Sequence, residues 1–100
     1  MPIPEGEKNR RRKKVQQISQ ALRALYPDLF NPSNPLPLKI GIFHEIVQEW
    51  PEIGRADLHR FMWRWTRHPR YCAVREKAES GEMMRYDLKM QKWPPDHGAA

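Results

Sequence analysis

Val15, Ile18, Leu22 and Leu25 fall at intervals of three, four and three residues, with Gln16, Gln17, Gln20 and Arg23 between them. That spacing lays the apolar side chains along one face of a helix and leaves the polar ones outside. Pro27 cannot continue the helix, because proline lacks the amide and its ring crowds the preceding turn, so an end near Tyr26 is expected. The stretch Phe30-Asn31-Pro32-Ser33-Asn34-Pro35-Leu36-Pro37 is dense in proline and asparagine and reads as a loop. A second helix is predicted from Pro37 to Glu49, proline being favoured at the first helical position where its missing N–H costs nothing. Its apolar face is Leu38, Ile42, Phe43, Ile46, Val47 and Trp50, and Pro51 marks its end. A third helix, Arg55 to Thr66, places Leu58, Phe61, Met62 and Trp65 at i, i+3, i+4 and i+7. His68-Pro69 interrupts, and Pro69 is well placed to open a short fourth helix reaching Ala78. Ser80-Gly81 signals a turn, and Met83 to Leu88 is short and mixed enough for a strand. The predicted fold class is mainly α: a compact domain of about four helices with a short β-hairpin or strand near the C-terminus.

Positive charge is concentrated in two stretches of the chain. The 18 Lys and Arg outnumber the 12 Asp and Glu, for a net charge of +6 in 100 residues. Residues 1–14 carry +4, from Lys8, Arg10, Arg11, Arg12, Lys13 and Lys14 against Glu5 and Glu7. Residues 55–75 carry +5, from six arginines against Asp57, which leaves −3 for the remainder. Two concentrated basic stretches on a mildly acidic body point to a polyanionic partner. They also divide the chain: a basic flexible arm over 1–14, one small folded domain over 15–90, and a flexible tail over 91–100 that holds Pro94-Pro95 and Gly98-Ala99-Ala100. Cys72 is the one cysteine, which excludes an intramolecular disulfide and fits a reducing, cytoplasmic setting. No apolar run approaches the roughly 18 residues of a spanning helix, and no apolar signal-peptide core follows the basic start, so neither membrane insertion nor export is expected.

Within this frame Lys39 stands out, set among apolar neighbours in Pro37-Leu38-Lys39-Ile40-Gly41-Ile42-Phe43. An ammonium at the start of a helix, beside free backbone amides, suits a phosphate; the residue type alone favours a surface lysine. Arg60, Arg64 and Arg67 run in a row away from the apolar face of the third helix, with His59 and Trp63 nearby. A solvated face is the ordinary reading of such a row, but one serving stability would mix signs more often to form i,i+4 pairs. Trp63 is not needed by the core stripe, and stacking on a nucleic-acid base or packing on a neighbouring loop fit it equally. His68 and Cys72 are four apart, but with Pro69 between them they make a poor metal pair. No nucleotide-binding glycine loop, nucleophile elbow or zinc-protease helix is present, so no enzyme, metal or cofactor is expected.

The ordered set YPDLF (Tyr26 to Phe30), PLKIGIF (Pro37 to Phe43), an arginine-rich third helix, RHPRY (Arg67 to Tyr71) and RYDL (Arg85 to Leu88) resembles the ProQ/FinO family of bacterial RNA chaperones over roughly residues 15–89. PLKIGIF is its most specific piece. The resemblance implies a FinO-like RNA-binding domain that recognises the base of a stem-loop, such as a terminator hairpin, and the single-stranded 3′ tail of small regulatory RNAs and messages; a monomer is expected. It implies post-transcriptional regulation by binding, without bond chemistry. On that pattern Lys39, Tyr71 and Arg85 lie on the RNA-binding face and Arg55 supplies a further base; Arg60, Arg64, Arg67 and Arg70, in a stretch where Asp57 is the one acid, are read as contacts to the stem backbone. Taken from residue type alone, Tyr71 is equally a core ring and Arg85 a structural ion-pair partner. Two positions depart from the family. His59 stands where an arginine is usual, so Arg60 takes over or the contact is weaker and pH-sensitive. Lys89-Met90 replaces the usual glycine turn. The Lys8 to Lys14 run is expected to add salt-sensitive affinity by releasing counterions. Two other classes remain open: a DNA-binding helical transcription regulator with the third helix in a major groove, and an adaptor whose basic surface meets an acidic protein.

Overall fold

In the computed structural model, which describes residues 4–93, the first helix begins before the basic run rather than after it. Residues 1–3 of the arm and 94–100 of the tail lie outside the described residues. Helix α1 (Glu5–Leu25) contains the whole of Lys8 to Lys14. Long unbranched Lys, Arg and Glu side chains favour helix. Glu5 and Glu7 stand in the first turn, where the helix dipole favours anions, and Arg11 donates to Glu7 at 3.2 Å across one turn. Val15, Ile18 and Leu22 are buried as their spacing requires, but Leu25 is 65% exposed. The helix stops at Leu25, and Tyr26 leaves it with φ −130°.

The segment from Pro27 to Phe43 corrects the predicted second helix. Leu29 and Phe30 close the YPDLF turn fully buried, with the Phe30 ring 5.8 Å from Phe61 and 5.4 Å edge-on from Trp65. Pro37 does not start a helix. Pro37 to Lys39 runs extended, parallel to the strand that follows α4: Tyr86 donates to the Pro37 carbonyl at 2.9 Å, and Lys39 donates to the Tyr86 carbonyl at 2.8 Å. The chain then turns through Ile40 and Gly41, closed by Ile42 N–H on the Lys39 carbonyl at 3.1 Å. Gly41 has φ 93° and ψ 7°, the third position of a type II turn, which favours glycine. Only then does α2 (Ile42–Glu49) begin. Proline restricts its own φ, a preference that suits an extended segment as well as a helix start, and the glycine decides between them.

Helix α3 (Arg55–Arg67) packs against α1, with Leu58 and Phe61 buried between them and Ile46 of α2 alongside. His68 caps α4 (Pro69–Glu79), its Nδ1 accepting from the Arg70 amide at 3.2 Å. The chain ends its described course in an antiparallel hairpin, β1 (Arg85–Tyr86) with β2 (Lys92–Trp93), pairing Arg85 with Trp93 and Tyr86 with Lys92. The strand expected within Met83 to Leu88 is thus β1, and residues 92 and 93 of the expected tail are its partner.

Candidate nucleic-acid interface

Two residues singled out in the sequence, Tyr71 and Arg85, meet at the backbone of Leu38, next to Lys39. The Leu38 amide donates to the Tyr71 hydroxyl at 3.3 Å, and Arg85 Nη1 donates to the Leu38 carbonyl at 2.9 Å while also hydrogen-bonding the Tyr71 hydroxyl. Tyr71 is 3% and Arg85 8% exposed, so their polar ends form the floor that fixes the backbone just before Lys39. Burial raises the Tyr71 phenol above its ordinary value, with the Leu38 amide and the Arg85 charge pulling the other way, so the hydroxyl remains neutral and available as a donor.

Lys39, beside them, is half-buried, and it is engaged. Its Nζ lies 3.0 Å from Glu45 Oε2 and 4.2 Å from the centroid of the Trp93 ring. The Glu45 oxygen is buried and makes no hydrogen bond, so the contact is ionic rather than directional. The expected help from a helix start is absent at Lys39 itself, because α2 begins at Ile42 and the Lys39 amide is spent on Tyr86. Trp93 is held in turn by Asp87, whose Oδ2 accepts the indole N–H at 2.9 Å and whose Oδ1 accepts the Lys89 and Gln91 amides at 2.9 and 2.8 Å. Burial alone would raise the Asp87 carboxyl; these donors and the nearby Lys39 charge outweigh it and hold it below its ordinary value.

A second cationic surface lies between α1 and α3. A cleft of about 460 Å³ is lined by Lys8, Arg11 and Arg12 from α1, His59, Arg60, Trp63 and Arg64 from α3, and Val15 at its base. His59 is exposed and its ring lies 4.3 Å from Phe43, linking this cleft to the segment that carries Lys39. Arg60 is anchored on Asp57 at 2.8 Å. The remaining predicted bases stand apart from the cleft: Arg55 opens α3, Arg67 stacks its guanidinium 4.0 Å from the Trp63 centroid, and Arg70 donates to the Pro32 carbonyl at 3.3 Å. Arg10 and Lys13 lie together on another side of α1.

Sequence reasoning missed Glu45, Asp87 and Trp93. Asp87 carried a usable signal, since aspartate readily accepts from amides two residues on and so opens turns. Glu45 and Trp93 carried none, because each reaches Lys39 only through the turn at Gly41 and the pairing of β2.

A mainly helical domain with cations gathered on two adjoining surfaces belongs to the class of small polyanion-binding modules. The model of the ProQ/FINO family matches residues 12–93, and the chain belongs to that family. Membership supports an RNA-binding chaperone role in general, in a family that is not enzymatic. Searches of curated proteins and of solved structures return no match. Among the described residues no helix is long and apolar enough to cross a membrane.

Proposed function

We propose that this protein is an RNA chaperone that holds stem-loops by the single-stranded 3′ end of small regulatory RNAs and messenger RNAs, acting as a monomer in the bacterial cytoplasm. The observation that carries the reading is that Tyr71 and Arg85 both hydrogen-bond the backbone of Leu38, the residue next to Lys39. In this reading Lys39 contacts the terminal backbone, and Tyr71 and Arg85 form the wall that sets its position. Arg55, His59, Arg60, Arg64, Arg67 and Arg70 follow the phosphates of the stem. Recognition is by shape and end, because an A-form stem conceals most base identity from side chains.

The test compares one stem-loop RNA with and without its 3′ tail, at two salt concentrations, for the wild type and Lys39→Ala. The wild type is expected to prefer the tailed RNA, and Lys39→Ala to lose about 1.5 kcal/mol on that RNA alone, roughly tenfold, as for a hydrogen bond to a charged group. Equal affinity for both RNAs in both proteins would sink the 3′-end reading. Tight, sequence-dependent binding to duplex DNA with weak RNA binding would favour a transcription regulator instead.

A further inference from the structure

We propose that the cleft between α1 and α3 is a stacking site for an unpaired base of single-stranded RNA, with Trp63 as its platform and Lys8, Arg11, Arg12 and Arg64 holding the flanking phosphates. The proposal rests on RNA binding but not on recognition of a 3′ end. It starts from the helical register of α1. The buried stripe Val15, Ile18, Leu22 continues toward the N-terminus at Arg12, Arg11 and Lys8, three, four and seven residues before Val15. Positions that the stripe would make apolar are cationic instead, and they overhang α3 rather than facing away from it.

Trp63 meets them from the other side. It is 59% exposed, beyond any need of the core, and sits among cations. The Arg67 guanidinium lies 4.0 Å over the ring but does not line the cleft, so it covers one part of the indole and leaves another to the cleft. Such a contact also restrains the ring, which lowers the entropic cost of stacking a base on it. Arg60 is steadied by Asp57 at 2.8 Å and Arg11 by Glu7 at 3.2 Å, so the walls carry charge in defined places. A volume of about 460 Å³ suits a single nucleotide-sized group rather than a duplex. Bases in a stem are already stacked and offer nothing to an indole. A splayed base has a free π-face, and an aromatic ring inside a cationic groove is how sequence-tolerant binding of single strands is built. An acidic protein would meet the charges but would leave the indole without a comparable partner.

The experiment measures binding of a short unstructured oligouridylate, and of an abasic ribose-phosphate oligomer of equal length, to the full chain. Trp63→Ala is expected to weaken the oligouridylate on the order of tenfold. Trp63→Phe should retain most of the affinity, and neither substitution should change binding of the abasic oligomer. The paired variant Arg11→Gln, Arg12→Gln should lower the salt slope by about 0.7 for each phosphate that is no longer neutralised. The assignment is overturned if Trp63→Ala binds oligouridylate as the wild type does, or weakens the abasic oligomer equally. Tighter binding of an acidic polyglutamate peptide than of oligouridylate would also overturn it, in favour of a protein partner. Tail discrimination on stem-loops separates the two readings. If it persists while the Trp63 effect is missing, only the cleft assignment falls; if it is missing while the Trp63 effect holds, only the 3′-end reading falls.

Discussion

Lys39 is within 3.0 Å of the Glu45 carboxylate, so an RNA phosphate approaching it competes with an anion already in place. Both side chains are partly shielded, at 20% and 27% exposure, but the pair lacks hydrogen-bond geometry, which leaves its attraction mainly Coulombic. Removing the competing charge should therefore favour RNA. Glu45→Gln is expected to tighten binding of a tailed stem-loop by about 0.2–1 kcal/mol, the range measured for such pairs and no more than roughly fivefold. The gain should vanish in a Lys39→Ala background, and titration of the four proteins completes the cycle. An equal gain in both backgrounds would show that Glu45 acts by long-range charge alone. Lys39 was legible in the sequence because a cation in an apolar run is conspicuous. Its setting was not. Pro37 suggested a helix start, whereas Gly41 at φ 93° places the turn four residues later, and only that turn brings Glu45 back to Lys39.

Among the elements, the hairpin depends most on one side chain. Asp87 binds the two amides of its own loop and the Trp93 indole, and the loop closes with Met90 at φ 61°, a conformation that ordinarily favours glycine. Three hydrogen bonds to one carboxylate thus offset the strain left by the absent glycine. The Asp87 carboxyl is depressed in the folded state, because its donors and Lys39 outweigh the opposing effect of burial. A depressed carboxylate adds stability that is present in full above its unfolded value, about pH 4, and is lost as pH falls through the folded value. The Trp93 environment, followed by fluorescence, is expected to be constant from neutral pH down to about 4 and to loosen below it. Asp87→Asn should remove that acid dependence and cost about 1.5–3 kcal/mol at neutral pH, since the amide cannot replace both oxygens as acceptors. Unchanged acid loosening in Asp87→Asn would assign the transition to another group. Helix boundaries were legible from Pro27, Pro51 and Pro69, which punctuate the chain by sterics alone. A two-residue strand has no period to read, so Lys92-Trp93 was indistinguishable from a frayed tail.

Across the whole molecule, the two basic stretches were visible as charge, but their meeting was not, because it requires α1 to extend over α3. The expected arm is helical from Glu5, and its cations occupy the register of the buried stripe. This arrangement makes a distinct prediction for deletion of residues 1–14. The deletion leaves Val15, Ile18 and Leu22 to pack on α3, so the domain should stay folded. It removes Lys8, Arg11 and Arg12 from the cleft but leaves Lys39, Glu45 and the Leu38 peptide untouched. If those three cations each neutralise a phosphate of a single strand, the slope of log affinity against log salt should fall by about 2, at roughly 0.7 per phosphate. Affinity at low salt should drop with it, because released counterions supply that part of the binding free energy. The ratio of affinities for tailed and tailless stem-loops should survive, since it depends on Lys39. Titrations at several salt concentrations read both quantities in one data set. A lost ratio with an intact slope would place tail recognition in the arm, and the division of labour between cleft and Lys39 pocket would have to be reversed.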